Sequence, residues 1–228
     1  MKTRLALALI VGLPLAPCGA QSLSLLGVQT AAPASSVTTA AATGDVFDGC
    51  GSEPHGFHLT ARLAGEAGEG IFKAAAKVQE LHNRDRPARA LTSRERQALR
   101  PLFGDIVDEV QVTYDAKLIQ QWSVLGHSFT LGQGAAAQTF GEHIYVARPD
   151  PKDAHTEGTL ALLVHELTHV HQLKQRGSLS AFGEAYMRGW WQAGRSYHGN
   201  WMEKQAYCVE DQEGPAAFAR YQQASSAD

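Results

Sequence analysis

Positive charge is in short supply in this sequence. Lys and Arg number 20 against 23 Asp and Glu, a net −3. Removing a leader that holds Lys2 and Arg4 leaves 18 basic against 23 acidic residues, or −5. No basic field runs through the chain, which excludes nucleic acid as an expected partner. Cysteine is scarcer still, with three in 228 residues. That rules out a disulfide-dense scaffold. It also rules out a cysteine-rich zinc site, since Cys50, near His55 and His58, offers one thiolate at an irregular spacing. No internal repeat is visible. The longest apolar run, "LALALIVGLPLA" at 5–16, falls short of the roughly 20 residues that span a bilayer.

That short run has a different reading. It follows the basic "MKTR" and precedes "CGA", the layout of a signal peptide over 1–20 with cleavage after Ala20. "LAPC" is also close to a lipobox, which makes Cys18 a candidate lipid anchor. Either route exports the chain to the periplasm or the medium, with no transmembrane span after signal removal. In that oxidising setting the two remaining cysteines, Cys50 and Cys208, most simply form a disulfide. Residues 21–45 are rich in Ala, Ser and Thr and uncharged until Asp45, the composition of a flexible tether. One domain is expected over 46–228.

Within that domain the apolar spacing predicts a helix over 69–84. A capped short helix is expected over 91–104. Alternation at Val110, Val112 and Tyr114 predicts a strand within 108–118, and further strands are expected at 127–132 and 138–149. A long helix follows over 159–176, with Thr156 or Thr159 as its cap and Gly177 as its stop. Further helices are expected near 180–195, 200–212 and 215–224. Helices, then a few strands, then helices make an α+β fold with a small antiparallel-type sheet packed on the long helix.

The long helix reads "LALLVHELTHVHQLKQRG". His165 and His169 are four apart, so both imidazoles sit on one face and reach one metal. Glu166 lies about 100° around the helix, placed to act on a water beside that metal and not to ligate from the same element. In a chain with 10 His this pattern arises by chance roughly once in forty sequences. Its apolar flanks make the helix core, where two histidines and a glutamate each need a partner.

These residues, with the upstream "GEHIYVARP", resemble the HExxH zinc metallopeptidases, and the domain a minimal zincin. What is missing sorts the subgroups. A metzincin has histidine six residues after the second ligand; position 175 is Gln. No Gly-Thr-x-x-Asp follows the helix. The gluzincin type, to which thermolysin belongs, takes a glutamate from a later helix. Glu203 in "NWMEKQAY", with Asn200 and Ala206 around it, matches that pattern. The resemblance implies a Zn2+ held by His165, His169 and Glu203, with Glu166 as general base cleaving a peptide or protein substrate, the protein acting as a monomer. His198 and Glu184 are the competing third ligands. No histidine follows position 198 to serve the oxyanion as in thermolysin-like enzymes, so that assignment stays open, with Tyr197 and His198 ahead of Tyr186 and Tyr207 because they sit in a loop near the expected ligand. The aspartate that thermolysin-like proteins place four residues after the glutamate is Tyr207 here, so Glu210 or Asp211 is expected to orient a ligand imidazole instead. "GEHIYVA" is the candidate edge strand for substrate, with a plain core strand as the alternative. A second functional class stays open: a non-catalytic, zinc-stabilised binding module of a secretion or toxin system, or an envelope lipoprotein.

Overall fold

The computed structural model describes residues 45–225 apart from 55, 57, 58, 125, 126, 131–134 and 153. The expected signal peptide, nearly all of the tether, Cys18, His55 and His58 lie outside the described residues. Contacts group 40–228 as one compact unit and 1–39 as another, the latter wholly outside the described residues.

The described chain opens with a short helix, α1 (Asp45–Gly49), and a long one, α2 (Leu59–His82). The apolar spacing located only the second half of α2. The first half buries Ala61, Gly65 and Gly68, residues too small to register as an apolar stripe. Their smallness is functional packing: a Cβ on Gly68 would come within 2.5 Å of the Gly183 carbonyl. Next come β1 (Ala88–Ala90) and α3 (Ser93–Phe103). Thr92 and Glu95 cap α3 reciprocally, side chain to backbone in both directions. The strand expected within 108–118 is shorter than its alternation suggested, because α4 (Ile106–Glu109) takes the first residues and β2 is only Gln111–Thr113.

A separate hairpin, β3 (Gln121–Val124) and β4 (His127–Thr130), precedes β5 (Ala137–Phe140) and β6 (His143–Val146). The stretch 138–149 is therefore not one strand. It folds back at Gly141, whose φ of 69° suits a residue without a Cβ. The sheet order is β1-β2-β6-β5, and β2 pairs with β6 in parallel, Val112 opposite Ile144. The sheet is thus mixed, not antiparallel throughout. The chain leaves β2, makes the β3–β4 hairpin, and returns at the far edge, so the β5–β6 hairpin lays β6 beside β2 in the same sense. This also corrects the edge-strand expectation. The strand in "GEHIYVA" is internal, and β5 is the edge.

The long helix α5 (Glu157–Arg176) is followed by α6 (Leu179–Gln192) and α7 (Trp201–Ser225). Two helices were expected where α7 runs unbroken through Pro215. Proline removes one helix hydrogen bond, but Gly214 abuts Ala161 of α5, and Ala217 and Tyr221 beyond it are buried. Packing along α5 outweighs the lost bond. One core joins Leu160, Leu163, Val164 and Leu167 of α5 to α3, the sheet and α7. A second gathers Phe72, Phe140, Phe182, Tyr186 and Met202 under α2 and α6.

Cys50 and Cys208 form a disulfide across 158 positions, as their even number suggested. Closing so long a loop restricts the unfolded chain. Changing both cysteines to serine is expected to lower unfolding stability by about 2–4 kcal/mol, read by urea titration. A loss under about 0.5 kcal/mol, the range of an ordinary surface substitution, would show that the bridge does not constrain the fold.

Candidate metal centre

The α5 helix is a rigid platform. The Thr156 hydroxyl accepts from Thr159 N at 3.2 Å, and Gly177, left-handed at φ 77°, donates to Leu173 O at 2.9 Å. Four-residue spacing on this straight element puts the His165 and His169 ring centroids 5.0 Å apart. Ser178 caps α6, which folds back, and the turn 193–200 reverses the chain into α7. Glu203 stands in the first turn of α7. Its Oε2 lies 3.4 Å from His165 Nε2 and 3.5 Å from His169 Nε2. One ligand atom from each residue falls within 4.8 Å of the others, and all three side chains are buried.

Each side chain is held from behind. His165 Nδ1 meets Glu210 Oε2 at 3.0 Å, so Glu210, one of the two residues expected in that role, orients this imidazole. His169 Nδ1 meets Gln172 Oε1 at 2.9 Å, and Gln172 Nε2 donates to Met202 O and Gln205 Oε1. Both Nδ1 atoms are occupied and both Nε2 atoms face Glu203. The Tyr186 hydroxyl donates to Glu203 Oε1 at 2.6 Å, while Glu203 Oε2 accepts no hydrogen bond although it is fully buried. A buried carboxylate oxygen left without a donor and set between two imidazole nitrogens is the arrangement expected of a cation site.

The electrostatics agree. Burial by itself would depress His165, but Glu203 and Glu210 outweigh it and push the imidazole up to about 10. His169 is raised against burial in the same way, chiefly by the Glu203 charge. Burial opposes ionisation of Glu203, yet His169 and His165 hold its carboxyl well below the usual range. A divalent cation competes with protons for the two imidazoles, so its affinity falls as pH falls.

Glu166 points into the same cleft, an opening of about 490 Å³ lined also by His169, Glu203, Thr139, Tyr186 and Tyr197, with Phe72, Phe140 and Phe182 as its apolar wall. The Thr139 hydroxyl, on the edge strand β5, donates to Glu166 Oε2 at 2.6 Å. Of the two leading oxyanion candidates, Tyr197 lines the cleft, and burial with the Glu203 charge raises its phenol, which stays protonated. His198 is exposed and is not among the lining residues; its ring lies edge-on to Tyr197 at 5.2 Å and tilted against Tyr207 at 5.8 Å. The structure thus does not bring His198 to the cluster as a ligand. Glu184 is turned to Arg188, at 2.5 Å. His171 stacks on Phe47, 3.9 Å between centroids, away from the centre. Tyr186, with its hydroxyl committed to Glu203, is not free as an oxyanion donor.

Residues 90–177 match the eCIS core domain family. The abbreviation stands for extracellular contractile injection system. The match covers less than half of the chain, from the end of β1 through α5; it includes His165, Glu166 and His169 and stops before Glu203. This is a different family from the HExxH metallopeptidases that α5 resembles, so the metallopeptidase reading rests on the residues themselves. No curated protein and no solved structure matches the chain.

Three supporting roles were not foreseen, although Tyr186 was named as an oxyanion candidate. Gln172 is three positions after His169, a spacing readable on the helix. Thr139 and Tyr186 reach the site from other elements, and no local signal marks them. Glu210→Ala is expected to weaken Zn2+ binding about 10–100-fold with the fold intact, measured by competition with a chromogenic chelator. Unchanged affinity would mean that the Glu210 contact does not orient His165.

Proposed function

We propose that this protein is an exported zinc-dependent hydrolase, a metallopeptidase in which His165, His169 and Glu203 hold the ion. The observation that carries the reading is the convergence of two imidazoles and an orphaned carboxylate oxygen from a separate helix, with a second acidic group, Glu166, in the same cleft. Zinc in such a site supplies Lewis acidity and lowers the pKa of a bound water to about 7. The chain's own residues do the rest. Glu166, oriented by Thr139, takes a proton from the attacking water and delivers it to the leaving amine. Tyr197, protonated and facing the cleft, donates to the developing oxyanion. An extended peptide pairs with the open side of β5, the strand that carries Thr139. Export fits the N-terminal run and the disulfide. Among the described residues no helix is long and apolar enough to cross a membrane.

The match to the eCIS core domain favours a second reading: a zinc-stabilised, non-catalytic module attached to an injection system. The two are separated by incubating the zinc-loaded protein with a broad peptide library, then with chelator, then with zinc restored. Cleavage that disappears and returns with the metal supports the hydrolase. No cleavage of any peptide, with chelation still lowering Tm, supports the module and overturns the enzyme.

A further inference from the structure

We infer that Tyr186 sets the coordination number of the site: by occupying one oxygen of Glu203 it leaves a single ligand oxygen, which selects a four-coordinate ion such as Zn2+ over larger, oxygen-preferring ions such as Mn2+. The inference rests on the metal-site reading above and extends it from where the ion sits to which ion is held.

The two oxygens of Glu203 have different fates. Oε1 receives the Tyr186 hydroxyl at 2.6 Å. Oε2 has no donor and faces both Nε2 atoms, at 3.4 and 3.5 Å. A carboxylate free to turn or slide can offer both oxygens to one cation, the mode that hard cations of high coordination number exploit. Two imidazoles and one oxygen leave room for one solvent ligand and a tetrahedral ion. Two imidazoles and two oxygens fill a larger shell, closer to what Mn2+ accepts.

Tyr186 is in no position to release that oxygen. Its ring packs 5.1 Å from Phe72 and 6.1 Å from Phe182, and the residue is buried. Its backbone carbonyl accepts from Asn200 Nδ2 at 3.2 Å, and Asn200 immediately precedes the helix that carries Glu203. Ring and carboxylate are therefore fixed to one another through both their side chains and the α6–α7 junction. Gly189 permits this junction, since a Cβ there would lie 2.4 Å from Asn200 Oδ1. Tyr186 gives its hydroxyl to Glu203 and acts on the ion through that carboxylate, which makes it a positioning residue.

The test uses the full chain, stripped with chelator and titrated with Zn2+, Mn2+ and Co2+, as wild type and as Tyr186→Phe. The variant is expected to lower the ratio of Zn2+ to Mn2+ affinity by at least about tenfold, the scale on which groups behind a metal ligand act. The Co2+ form gives a signature that a structural role would not move. Its visible absorption is strong for four-coordinate wild type and weakens in the variant as the coordination number rises. An unchanged affinity ratio with an unchanged Co2+ spectrum overturns the inference while leaving the metal site standing. If Tyr186→Phe does not fold, the wild-type Co2+ spectrum decides alone: strong four-coordinate absorption supports the inference, and weak absorption of a higher-coordinate ion overturns it. If none of the three ions binds wild type, the metal reading itself fails and this inference falls with it.

Discussion

Glu166→Gln is expected to reduce peptide hydrolysis by about 10²–10⁴-fold, the usual contribution of a positioned general base, while zinc content and Tm stay at wild-type values. The substitution is close to isosteric. The Gln carbonyl oxygen can still accept from Thr139, so the contact between β5 and α5 survives. The proposed metal ligands are untouched, because Glu166 lies around the helix from His165 and His169 and is not among the clustered ligand atoms. What disappears is the capacity to take and return a proton. The measurements are turnover of a cleaved library peptide, metal content by elemental analysis, and thermal unfolding. Activity within threefold of wild type would remove Glu166 from the mechanism. Loss of zinc together with activity would instead make it part of the ion's support.

The second large effect concerns stability and lies at the other end of α5. Glu95 is fully buried. It receives both terminal nitrogens of Arg89, at 2.7 and 2.9 Å, meets His155 Nε2 at 2.7 Å, and accepts from Thr92 N at 2.6 Å. His155 in turn meets Thr159 in the first turn of α5, and Arg89 also binds Asp150. This network joins β1, α3 and the entry to the metal-site helix. Glu95→Ala leaves a half-buried guanidinium and a buried imidazole without their shared partner. The expected cost is about 3–5 kcal/mol, towards the lower figure because Asp150 still pairs with Arg89. For a domain of this size that is a Tm drop of roughly 6–20 °C. The same carboxylate sets an acid limit. Burial opposes its ionisation, but Arg89, His155 and Thr92 outweigh burial and hold it at about 2, against 4.5 for an unperturbed Glu. Its stabilisation is complete above about 4.5 and is lost as pH falls towards 2, since only the unfolded chain takes up the proton in that window. Urea unfolding from pH 7 to pH 2.5 should show a steep loss in wild type and a shallower one in Glu95→Ala. Parallel curves, or a cost under 1 kcal/mol at pH 7, would mean that the network is not what anchors α5.

Local sequence was enough to place α5 and its cap and stop, because one helix carries its own periodicity, its N-cap threonine and its terminal glycine. It was enough to put His165 and His169 on one face and Glu166 beside them, because a helix converts spacing directly into direction. The even pair of cysteines left little choice of partner. Glu203 was reached through resemblance, and its meeting with α5 depends on a turn whose path no local rule dictates. The start of α2 was illegible because glycine and alanine bury area without an apolar signal. The parallel β2–β6 pairing was illegible because strand partners are chosen by the whole sheet. Thr139, Tyr186 and the Arg89–Glu95–His155 network belong to the same class, since each is a contact between elements. The chain by itself determined which groups are candidates to hold a cation and to move a proton. Only the tertiary structure decided which of them meet, because hydrogen bonds and packing between helices act across distances in sequence that periodicity does not encode.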